Sequence, residues 1–103
     1  MFVFISHLDV PEEHRAMVED HFRNRLGLVD SFPGFLYLQL MRPQAGAAAF
    51  SFLTAWESRE AFARYMKSEE RERSHAREPH EVMARTSVRH EAYEVLMDSR
   101  QPA

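Results

Sequence analysis

The chain contains no cysteine. Disulfides, thiolate metal sites and cysteine nucleophiles are therefore excluded. Glycine is scarce: Gly27, Gly34 and Gly46 are the only three, and they form neither a G-x-G-x-x-G turn nor a phosphate-cradling P-loop. No H-E-x-x-H and no G-x-S-x-G segment occurs. Basic charge is not in excess, with 13 Lys+Arg against 16 Asp+Glu and a net charge of −3 with histidine neutral. That balance argues against a broad nucleic-acid footprint. No apolar run approaches the roughly 18 residues a membrane span needs. The opening MFVFISHLDV lacks the basic segment of a secretion signal. The expectation is a cytoplasmic protein with neither nucleic acid nor membrane as a partner.

Other residues are plentiful. The 103 residues, enough for one domain, include eight phenylalanines and six histidines. Charging all six histidines would turn −3 into +3, so the net charge is sensitive to pH near 6.

Residues 2–8 form a β-type apolar run. Pro11-Glu12-Glu13 is a helix start signal, with proline at the first helical position and acids in the first turn. Val18, Phe22, Leu26 and Val29 recur at helical spacing, which predicts a helix from there to about Ser31. Phe32-Pro33-Gly34 is a turn. Strands follow over 35–42 and 48–56, joined by a hairpin loop at 43–46. Ser58 caps a helix that carries Ala61, Phe62, Tyr65 and Met66 on one face. Ser68 caps a short charged helix that runs through Arg71 to Ala76, and Pro79 ends it. The alternating charges of 67–73 read as a solvated face. Residues 81–87 have no clear pattern. A fourth strand spans 88–97, leaving 99–103 as a frayed tail on a single domain of 1–98. The order β-α-β-β-α-β predicts an α+β, ferredoxin-like split-βαβ fold with an antiparallel sheet.

The strands are apolar on both faces: Phe2 and Phe4 oppose Val3 and Ile5, and Phe50 and Phe52 oppose Leu53 and Ala55. In the second strand, Phe35, Tyr37 and Met41 are expected opposite Leu36, Leu38 and Leu40. An antiparallel sheet with one wet face alternates apolar and polar. Both crossover helices lie on one face, so a second copy packed sheet against sheet is the expected cover for the other.

Among the histidines, His14 and His21 share a helix face but lack the spacing of a helical metal pair. His90 alternates within the last strand, half exposed. His7 closes the first strand in phase with Val3 and Ile5, a position from which a strand end can deliver a polar group to a pocket.

The segments Phe32-Pro33-Gly34-Phe35, FLYLQLMRP and Leu53-Thr54-Ala55-Trp56-Glu57-Ser58-Arg59-Glu60-Ala61-Phe62 resemble the antibiotic biosynthesis monooxygenase superfamily, and the likeness extends over roughly 1–98. The resemblance implies a homodimer through the sheet faces, a dimeric α+β barrel. It is strongest to the heme-degrading branch. That branch implies heme between sheet and helices as both substrate and cofactor, an external electron donor, and His75 as the iron ligand. By the same resemblance His7 steers oxygen, where the family has asparagine. Tyr65 presses on the heme in place of the family's tryptophan. Phe22, Phe62 and Met66 form the apolar walls. Should the register of the charged helix turn His75 toward water, His80, after Pro79, is the substitute ligand. Two alternatives remain: a cofactor-free monooxygenase acting on a phenol or quinol, and a binder of heme or another flat aromatic ligand without turnover.

Overall fold

The computed structural model describes residues 1–24, 27–45, 49–76 and 80–100, the His80 side chain excepted. Strand β1 is Phe2–Asp9. A 3-10 turn at Glu12–His14 leads into α1, Arg15–Arg23, and a second covers Leu28–Ser31. Strands β2 and β3 are Phe35–Met41 and Phe50–Trp56. Helices α2, α3 and α4 are Arg59–Met66, Glu69–Ala76 and His80–Ala84, and β4 is Ser87–Glu94. The four strands form one antiparallel sheet in the order β2-β3-β1-β4. This is the expected ferredoxin-like split-βαβ arrangement, with α3 and α4 inserted before the last strand.

Both predicted serine caps are in place. Ser58 Oγ accepts from the Ala61 N–H at 3.1 Å, and Ser68 Oγ accepts from the Arg71 N–H at 3.2 Å. Each satisfies a first-turn donor that has no partner within its helix.

Three local expectations are corrected. The first helix does not reach Ser31 but stops at Arg23. The Asn24 side-chain amide donates to the Asp20 carbonyl at 2.9 Å and to its carboxylate at 3.0 Å. Gly27 then takes a left-handed φ of 72°, which a helix cannot pass through. Leu26 lies outside the described residues, as do Gly46 and Ala48 of the hairpin and Pro79. The last strand ends at Glu94 rather than Met97. The Val95 N–H still reaches the Met1 carbonyl at 2.9 Å, but Leu96 and Met97 point into solvent. In β2 an irregularity between Phe35 and Tyr37 shifts the alternation. Phe35 thereby joins Leu38 on the helix side, where both pack around Trp56, and Leu36 is turned out.

The strand register sorts the sheet into two faces. Phe2, Phe4, Ser6 and Leu8 of β1 lie opposite Trp56, Thr54, Phe52 and Phe50 of β3, and opposite Glu94, Ala92, His90 and Val88 of β4. Phe2 and Phe4 touch Phe62 of α2, so the helices cover this face. Val3, Ile5 and His7, with Ala55, Leu53 and Ser51 opposite them, form the other face.

The helix-side core is split in two. One cluster joins Leu8, Val10, Val18, Ala49, Phe50 and Val82, with Phe22 and Leu40 against it. The other centres on Val29, Trp56 and Ala61, ringed by Phe2, Phe32, Phe35, Leu38, Phe62 and Tyr65. α1 is further tied to the end of β2 through Glu19, which pairs with Arg42 and, at 3.2 Å, with Arg23.

The turn before β2 depends on Gly34. Its φ of 87° is left-handed, and a Cβ there would sit 2.4 Å from the Ala61 Cβ. Its carbonyl accepts from the Glu57 N–H at 2.8 Å. Gly34→Ala therefore combines backbone strain of roughly 1–2 kcal/mol with overpacking of roughly 1–3 kcal/mol. A thermal melt is expected to fall by at least about 8 °C. An unchanged melt would mean that α2 moves freely away from the turn.

Candidate functional site

Between the two core clusters runs a strip of the helix-side face that neither cluster fills. Phe4, Ser6 and Phe52 belong to the two central strands, where side chains are ordinarily buried, yet all three are only half-buried. Phe22 of α1 leans on Phe52, with ring centroids 5.0 Å apart. Phe62 of α2 stacks on Phe4 at 4.6 Å and 29°. The strip thus has an aromatic floor and an aromatic wall from each helix. On its β4 side, the His90 ring stacks on Phe4 at 5.1 Å and 29°, and its Nδ1 lies 3.0 Å from Ser6 Oγ.

Among the expected site residues, Phe22 and Phe62 border this strip. Tyr65 lies behind it, packed on Trp56 at 5.2 Å and edge-on to Phe32 at 5.3 Å. Met66, expected as a wall, is exposed at the last turn of α2. His75 is exposed in the last turn of α3, a helix with no buried residue that packs beside α2 and the 28–31 turn.

His7 is not brought together with these residues. It lies on the opposite face of the sheet, with Nδ1 2.8 Å from Ser51 Oγ and Nε2 2.6 Å from Glu91 Oε1. Glu91 also accepts from the Tyr93 hydroxyl at 2.5 Å and from Arg89 at 3.0 Å. The Tyr93 and His7 hydrogen bonds, with the Arg89 charge, hold the Glu91 carboxyl below the ordinary carboxylate range. The same hydrogen bond holds the Tyr93 hydroxyl above its usual pKa. A depressed carboxylate contributes stability above its unfolded pKa of about 4.3, and that contribution is lost as pH falls through its folded value. Glu91→Gln is therefore expected to lower the melting temperature at pH 7, with the difference closing below about pH 4. A constant offset from pH 7 to pH 3 would show that ionisation of Glu91 plays no part.

Of the tail expected over 99–103, Arg100 is held. Its guanidinium bonds both Asp98 carboxylate oxygens and the Tyr37 hydroxyl, 5.0 Å over the Tyr37 ring. Asp98 is correspondingly held below its usual pKa. Residues 101–103 lie outside the described residues.

The residues that sequence reading passed over are Ser6 and His90. Each belongs to a two-residue alternation visible in its own strand. Only the β1–β4 register makes them neighbours.

A four-stranded antiparallel split-βαβ sheet, with helices on one face and an apolar surface around a polar network on the other, defines a small α+β domain of the ferredoxin-like class. Residues 1–77 match the family described as antibiotic biosynthesis monooxygenase, and the chain belongs to that family. Over 60 residues it is 40% identical to a mycobilin-producing heme oxygenase of Mycobacterium tuberculosis, a match covering 58% of this chain and 57% of that relative. The structure superposes on MhuD, a heme-degrader from Mycobacterium tuberculosis solved with two hemes in its active site. The TM-score is 0.80 at 28% identity, covering 95% of this chain and 98% of that one. A mutant of SnoaB, a cofactor-independent oxygenase from Streptomyces nogalater, shares the fold with a TM-score of 0.75 at 16% identity, covering 97% of each chain. No helix among the described residues is long and apolar enough to cross a membrane.

Proposed function

We propose that this protein binds heme in the helix-side strip and degrades it oxidatively, with O2 as oxidant and an external donor supplying electrons. The observation that carries the reading is the half-buried aromatic floor of Phe4 and Phe52 between the walls of Phe22 and Phe62. A macrocycle is large, flat and apolar, and a cleft lined by apolar and aromatic side chains suits such a ligand. A bound heme would supply the redox-active iron, and a histidine of this chain would hold it. His75, exposed in the last turn of α3, is assigned that role, the one the family resemblance implies. Burial between Phe22, Phe52, Phe62 and Phe4 excludes water from the ring edge, and exclusion of water and restricted access favour attack on the ring over leakage of reactive species. Tyr65, backed by Trp56 and Phe32, fixes where the wall of α2 stands.

The reading includes a homodimer. On the face away from the helices, Val3, Ile5, Leu53 and Ala55 are apolar, and Tyr93 is 48% exposed. Val3 and Ala55 are already buried within the chain, so packing two such faces together would remove the half-buried Ile5 and Leu53 and the exposed Tyr93 from water and complete a barrel around the His7–Glu91 network. Sedimentation at twice the 12.1 kDa chain mass is the expected outcome.

Oxygen uptake with ascorbate tests the chemistry. Uptake that requires hemin supports the proposal. Uptake that requires a phenol or quinol, and proceeds without hemin, overturns it in favour of the cofactor-free reaction.

A further inference from the structure

We propose that His90 is a second axial ligand for the iron of heme bound in the helix-side strip, with Ser6 as the residue that positions it. This rests on the heme reading above and goes beyond it in assigning a ligand from the sheet.

Three observations lead there. The first is ring placement: Phe62, Phe4 and His90 form a continuous stack across α2, β1 and β4, each pair inclined by 29°. An imidazole held flat on Phe4 has its plane set, and its ring edge is left beside the strip. The second is the state of its two nitrogens. Nδ1 is engaged by Ser6 Oγ at 3.0 Å, while Nε2 has no hydrogen-bond partner among the described residues. When Nδ1–H donates to the serine, Nε2 carries the free lone pair. That tautomer is the one metal-ligating histidines adopt, their other nitrogen being fixed by a hydrogen bond. The third is the contrast with His7. It lies on the far face, and both its nitrogens are occupied by Ser51 and Glu91. The sheet separates it from the strip, so the imidazole on the strip's own face is that of His90. His21 of α1, edge-on to Phe22 at 5.3 Å, is the rival at the opposite wall.

A histidine from α3 and one from β4 would close both axial positions in the ferric resting state. O2 could then reach the iron only when His90 lets go. Binding would be tight and turnover would be gated by that bond.

The test is titration of the intact protein with hemin, read by absorbance and by resonance Raman spin-state bands. The wild type is expected to be six-coordinate and low-spin. His90→Ala is expected to convert it to high-spin with about tenfold weaker binding, and added imidazole should restore the low-spin spectrum. Ser6→Ala should leave binding saturable with a mixed spin population, which a structural role alone would not produce. His90 is exposed on an edge strand, so the apo melting temperature of His90→Ala should match the wild type. If that melt falls, His90→Gln replaces it. A His90→Ala spectrum identical to wild type overturns the assignment while leaving heme binding intact. Loss of the low-spin bands in His21→Ala alone moves the ligand to α1 and also overturns it. Absence of saturable hemin binding by the wild type overturns the heme reading itself, a separate result.

Discussion

His75→Ala is expected to weaken hemin binding roughly 100-fold. Loss of a mere outer-shell partner costs a metal site 10–100-fold, and His75 is assigned as the ligand itself. The position suits the role physically. α3 buries no side chain, and His75 sits exposed in its last turn. The side chain is exposed, so the variant should fold normally and the loss should appear in affinity alone. Fluorescence quenching of Trp56 by hemin measures it directly. An unchanged dissociation constant would remove His75 from the site and leave His90 as the sole axial ligand.

Trp56→Ala is expected to cost about 3–5 kcal/mol, the range for removing a buried aromatic side chain. Trp56 is fully buried, and its ring meets those of Phe32, Phe35, Phe62 and Tyr65 with centroids 5.2–6.4 Å apart. Its indole N–H donates to Thr54 Oγ1 at 2.9 Å, so truncation also leaves a buried hydroxyl without that partner. Small domains hold only about 5–15 kcal/mol in total. The melting temperature should therefore fall by more than about 12 °C by circular dichroism. Hemin affinity should weaken in the same variant, because Phe62 and Tyr65 lose the surface that backs them. A fall under about 5 °C would mean that the second core cluster is not what holds α2 to the sheet.

Much of this architecture was legible in the sequence. β-type apolar runs marked the strands, and the serine caps at 58 and 68 marked two helix starts. The segment from Phe32 to Phe62 carried the family likeness. The break in the first helix was not legible, because Val18, Phe22, Leu26 and Val29 keep helical spacing across a glycine whose left-handed φ appears only in the folded chain. The irregularity in β2 was hidden for a similar reason: an unbroken apolar run gives no sign of where its alternation slips.

The placement of His7 shows the deeper difficulty. Its phase with Val3 and Ile5 was correctly readable. When both faces of a sheet are apolar, however, alternation cannot tell which face the helices cover. That depends on Phe2 and Phe4 meeting Phe62, a contact between elements far apart in sequence. The same contact places Ser6 and His90 on the helix side and His7 on the other.

The central claim is that heme is both ligand and substrate. It is tested most directly by titrating the protein with hemin and then adding ascorbate in air, with catalase present to remove free peroxide. A saturable Soret shift near one heme per chain, followed by bleaching of that band and release of iron, is the predicted result. A chain that gives no saturable shift, or binds heme and leaves the Soret band intact under ascorbate, contradicts it.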